Sequence, residues 1–71
     1  MKIEVDTDKV LSLMKKRGIK TKRELADNCG ISWRVVYMMF ARRQLSIETL
    51  WLVSAELGVN INEIVVPNWE K

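Results

Sequence analysis

The chain has 71 residues, with 12 lysines and arginines against 9 aspartates and glutamates, no histidine and a single cysteine, for a formal charge of +3. A chain of that length makes one domain and buries only about 60% of its unfolded surface, which leaves no room for a deep catalytic cleft. Without histidine it lacks the commonest general base and the commonest metal ligand. Cys29 has no intrachain disulfide partner, which fits a reducing compartment. No apolar run approaches the roughly 18 residues of a membrane span, and the N-terminal MKIEVDTDKV has no continuous apolar core of a secretory signal. The expectation is a cytoplasmic protein that is not an enzyme and needs neither metal nor cofactor.

The charge is unevenly spread. Lys15, Lys16, Arg17, Lys20, Lys22, Arg23, Arg34, Arg42 and Arg43 face only Glu24 and Asp27 within residues 15–43, a net +7, while the rest of the chain carries −4. A basic middle between acidic ends is a localised field of the kind that meets a polyanion.

In chain order, Lys2 to Val5 alternates polar and apolar residues and reads as a short strand, with Ile3 and Val5 on one side. A first helix is predicted from about Thr7 to Arg17, capped by Asp6 or Thr7, with Val10, Leu13 and Met14 as its apolar stripe and Gly18 as its stop. Lys15, Lys16 and Arg17 suit the negative end of that helix as well as they suit phosphate. A second helix starts at Thr21, where Thr21-Lys22-Arg23-Glu24 forms a capping box. Lys22 and Arg23 then stand at the positive end of a helix, an unfavourable placement that a bound phosphate would relieve.

Gly30 marks a tight reversal, and a third helix follows from about Ser32, its N-cap, to Ala41. Val36, Met39 and Phe40 make its buried stripe. Trp33 and Tyr37, and Arg34 and Met38, pair at i, i+4 on the other side, so the outward face is aromatic, basic and sulfur-bearing. Arg42, Arg43 and Gln44 read as a basic loop. Ser46 caps a fourth helix to Leu57, with Ile47, Leu50, Val53, Ser54 and Leu57 inward and Gly58 at its end. Asn60 and Glu63 suggest a capping box for a short fifth helix, Ile61 to Val65, stopped by Pro67. Trp51, Leu52, Val65, Val66 and Trp69 remain as an apolar set, expected to build a homodimer interface.

The pattern Thr21-Lys22-x-Glu24-Leu25-Ala26-x-x-x-Gly30-Ile31-Ser32, followed by Ser46-Ile47-Glu48-Thr49-Leu50 and Glu56-Leu57-Gly58-Val59, resembles the Cro/C1-type (Xre-like) helix-turn-helix regulators of phages and bacteria. Ala26, small where two helices cross, and Gly30 four residues later carry much of the likeness. The resemblance covers roughly residues 7–65 and implies an all-α bundle of about five short helices, a single DNA-binding domain over 1–71, and a homodimer on an inverted-repeat operator in double-stranded DNA. It implies base reading by Trp33, Arg34, Tyr37 and Met38 and places Lys22 and Ser32 at the phosphates, where the charge pattern adds Arg23, Arg42 and Arg43.

Arg34 is suited to a bidentate guanine contact, and Trp33 or Met38 to packing on thymine methyls. Half-sites of a two-fold dimer would lie about 34 Å apart. Lys22 stands where the family usually has Gln. Three of the four reading positions are apolar or aromatic where the family is polar, and the loop after the third helix lacks the usual Gly. Trp33 either contacts bases or covers the side of the core. The leading expectation is a sequence-specific repressor of phage or mobile-element type. The alternative is a protein-interaction module on the same fold, an antirepressor, adaptor or antitoxin, with the apolar third helix as its binding ridge.

Overall fold

The computed structural model describes residues 2–66. In chain order it contains β1 (Lys2–Glu4), α1 (Thr7–Lys16), α2 (Lys22–Cys29), α3 (Trp33–Arg42), β2 (Gln44–Ser46) and α4 (Ile47–Leu57), followed by a single 3₁₀ turn at Ile61–Glu63. Three of the four α-helices begin on a side-chain cap, whereas Ser46, expected to cap α4, makes no bond to a helix amide and pairs its hydroxyl with that of Thr49 at 3.0 Å. Asp6 accepts from the Lys9 amide at 3.1 Å and caps α1, and Thr21 accepts from the Glu24 amide at 3.0 Å and caps α2. The Ser32 hydroxyl accepts from the Arg34 amide at 3.2 Å and caps α3. The capping box at Thr21 is altered in one respect: the Glu24 carboxylate accepts from the Lys20 amide at 3.0 Å, not from Thr21.

Three helix ends share one construction. After α1, α2 and α4 a left-handed glycine is followed by an apolar residue whose amide returns to the last turn: Ile19 to Met14 at 2.8 Å, Ile31 to Ala26 at 3.0 Å and Val59 to Ser54 at 3.1 Å. Ile19 is buried, and Ile31 and Val59 pack on the core, so each turn also fixes the direction of the chain that follows.

The core joins Val10, Leu13 and Met14 of α1, Leu25 and Ala26 of α2, Val36 and Met39 of α3, and Leu50, Val53 and Leu57 of α4 to Val5, Leu45 and Ile64. Burying each such Leu or Val contributes about 1.5–3 kcal/mol relative to leaving it in water. Ala26 is fully buried on the α2 face that meets α3, and the two helices of this pair form the most extensive contact in the molecule. A larger side chain at Ala26 would push them apart.

Two expectations are corrected. The segment after α4 is one 3₁₀ turn, not a helix to Val65, because Ile64 turns fully into the core and Val65 forms a β-bridge with Val5. The stretch expected as a loop ends in a strand: β1 pairs antiparallel with β2 in the register Lys2↔Ser46, Ile3↔Leu45 and Glu4↔Gln44. Residues 2–6 thus run between two neighbours, with the Asp6 amide bound to the Ile64 carbonyl at 2.8 Å and the Val66 amide to the Glu4 carbonyl at 3.0 Å. Ile3 and Val5 share the inward side, as their alternation suggested.

Candidate nucleic-acid interface

The interface begins with the exposed side of α3. Val36 and Met39 point inward, which leaves Trp33, Arg34, Tyr37 and Met38 toward solvent, with Trp33 40% and Met38 43% exposed. Trp33 therefore does not close the core. Its indole meets the edge of the Tyr37 ring at 5.2 Å between centroids and 80° between planes, the favourable arrangement for an aromatic pair.

The N-terminus of α2 lies against these rings. The Lys22 ammonium is 4.7 Å from the Phe40 ring centroid and 5.5 Å from that of Tyr37. The Arg23 and Arg34 guanidiniums lie 5.8 and 5.6 Å from the Trp33 ring. The misplaced cations at the start of α2 thus gain an aromatic partner within the fold, worth about 0.5–1 kcal/mol each at exposed sites. Phe40, expected only as a core residue, is half-buried and seats Lys22. Nothing local in the sequence shows this, since the two residues meet only when α2 folds across α3.

At the same end of α2, the amides of Lys22 and Arg23 have no intrahelical acceptor and, with the helix dipole, suit an anion. The Ser32 oxygen is occupied as an acceptor, but its O–H proton remains free to donate. Past the other end of α3, Arg43 takes a left-handed conformation, φ 57°, the only described non-glycine residue to do so. Its carbonyl accepts from the Val5 amide at 2.8 Å. Arg34, Val35, Met38 and Arg42 of α3 line a hollow of about 420 Å³ with Gln44, Leu45 and Ser46 of β2 and Thr49 of α4.

The apolar set expected at a dimer interface divides. Trp51 is 60% and Leu52 48% exposed on α4, and Ile47, expected inward, joins them at 36%. Val65 and Val66 are half-buried, the first bridged to Val5 and the second bonded to Glu4 of β1. Trp69 lies outside the described residues.

Cys29 is half-buried between α2 and α4, with its thiol donating to the Leu52 carbonyl at 3.8 Å. Burial, helped by the nearby Glu56 charge, pushes the thiol pKa from 9.0 to about 11, so it is an inert packing group at neutral pH. Among the described residues no helix is long and apolar enough to cross a membrane, and no group of three acidic, histidine or cysteine side chains is placed to hold a metal ion.

A short helix, a glycine turn and a second helix whose outward face is flanked by cations and free amides define a helix-turn-helix DNA-binding domain. The family model of the bacteriophage CI repressor helix-turn-helix domain matches residues 8–70, and the chain belongs to that family of repressor-type transcriptional regulators. No curated protein and no solved structure matches it.

Proposed function

We propose that this protein is a sequence-specific transcriptional repressor of phage or mobile-element type, a single DNA-binding domain that inserts α3 into the major groove of double-stranded DNA. The observation that carries this reading is the position of Arg34 on the open face of α3. It shares the Trp33 ring with Arg23 on one side and a hollow with Arg42 on the other. A base-reading side chain is thereby bracketed by cations that can hold the phosphates.

Arg34 takes a guanine edge, and Trp33, Tyr37 and Met38 fill the groove around it. Lys22, Arg23, Ser32, Arg42 and Arg43 hold the backbone, with the amides at the start of α2. Four such cations give a log–log salt slope of about −3.6 per protomer. The protein acts in the cytoplasm as a homodimer on an inverted repeat, using the open apolar residues of α4.

The test is selection from random genomic fragments at two salt concentrations, beside Arg34→Ala. One enriched inverted repeat, absent from the variant's selection, is the expected result. Salt-sensitive but sequence-blind binding would overturn base reading and leave the exposed face of α3 to a protein partner.

A further inference from the structure

The reading face is unusual in what it lacks. From Trp33 to Arg42, α3 contains no Asn, Gln, Ser, Thr, Asp or Glu. Adenine is read best by the paired donor and acceptor of an amide side chain, and the cytosine amino group by a carboxylate. Neither partner exists on this helix. Arg34 can recognise guanine. The remaining polar atoms of the face, the Trp33 indole N–H and the Tyr37 hydroxyl, are single groups without the two-atom fork of an amide or carboxylate, and they sit on rings packed against each other and beside Lys22, Arg23 and Arg34.

Met38 is different. It stands one turn beyond Arg34, is 43% exposed, and opens on the hollow lined by Val35 and Leu45 together with Gln44, Ser46 and Thr49. No carboxylate lines that hollow. One feature of the major-groove edge suits an unbranched, polarisable thioether beside Val35 and Leu45: the C5 methyl of a pyrimidine. Side chains at i and i+4 stand about 5–6 Å apart, so Arg34 and Met38 can meet neighbouring base pairs.

We infer that Arg34 and Met38 together read one composite feature, a guanine beside a pyrimidine that carries a C5 methyl, either thymine or 5-methylcytosine. The inference rests on the DNA-reading role proposed above and specifies its substrate. The helix itself thus selects a methyl group and a guanine, and the one amide beside this hollow is Gln44 of β2.

The test uses the full chain and its selected duplex, with each thymine replaced singly by 2′-deoxyuridine and binding followed by fluorescence anisotropy. Losing one buried methyl weakens binding roughly fourfold per half-site. The expected result is such a loss at a thymine beside the guanine that Arg34 requires. Replacing that thymine by 5-methylcytosine, paired with guanine, retains the affinity, whereas unmethylated cytosine loses it. Met38→Ala, at an exposed position that leaves the fold intact by circular dichroism, binds thymine and deoxyuridine duplexes alike with an unchanged salt slope.

Equal binding of thymine and deoxyuridine duplexes at every position overturns methyl reading while leaving base reading by Arg34 in place. A full thymine preference in Met38→Ala overturns the assignment to Met38. Failure to select any sequence overturns base reading altogether, and this inference with it.

Discussion

Both α3 and α4 present a tryptophan to solvent, yet the two surroundings are opposite. Around Trp33 stand Arg23, Arg34 and the edge of Tyr37, and the neighbouring Phe40 and Tyr37 rings carry Lys22. Around Trp51, the more exposed of the two, the open neighbours on α4 are Ile47, Leu52, Ala55 and the carboxylate of Glu48, and no cation lies over its ring among the described residues. The same residue type thus serves two purposes. An aromatic face threaded with cations keeps its charge for a polyanion and holds those cations in place, whereas a largely apolar face without cations gains most by being covered. Exposure alone would have ranked Trp51 first and assigned both faces the same role.

The contrast can be tested from either side. The largest effect is expected from Arg34→Ala, which removes the bidentate guanine contact proposed for α3. Affinity for the selected sequence falls about 5- to 150-fold, corresponding to 1–3 kcal/mol, with little change in Tm because the residue is exposed. Trp51→Glu acts on the other face. In sedimentation it converts dimer to monomer at tens of micromolar while binding to an isolated half-site stays the same. A wild-type chain that sediments as a monomer at high micromolar concentration would remove the self-association role of α4.

Smaller effects sharpen the difference between phosphate holding and base reading. Arg23→Ala should weaken all DNA sequences about equally and reduce the salt slope by about one unit. A sequence-dependent loss would place Arg23 at the bases. Arg43→Gly should move stability and function in opposite directions. It relieves a left-handed conformation that glycine adopts freely and stabilises the fold by about 0.5–1 kcal/mol, measured by denaturant unfolding. It also lowers DNA affinity through the lost phosphate contact. If affinity is unchanged, Arg43 holds its conformation for some other reason.

Much of this architecture was legible in the sequence because it is written in local chemistry. Asp6, Thr21 and Ser32 start helices and Gly18, Gly30 and Gly58 end them, each decided within one or two turns of chain. What was missed depends on residues distant in sequence. Gln44–Ser46 is too short to signal a strand until it meets β1 some 40 residues earlier. The predicted fifth helix fails because Val65 is drawn to Val5 across the molecule. The unfavourable cations at Lys22 and Arg23 were recognisable as a conflict, but the rings that ease it belong to the next helix.

The ribbon made by residues 2–6 has a mechanical consequence. The Val5 amide grips the Arg43 carbonyl, so an N-terminal segment with no part in the proposed groove holds the last cation of the basic face in its left-handed bend. It acts as a latch. Hydrogen exchange at the single Val5 amide reports how often the latch opens, and each opening frees Arg43 to relax toward the ordinary right-handed backbone and to swing away from the phosphates it is proposed to hold.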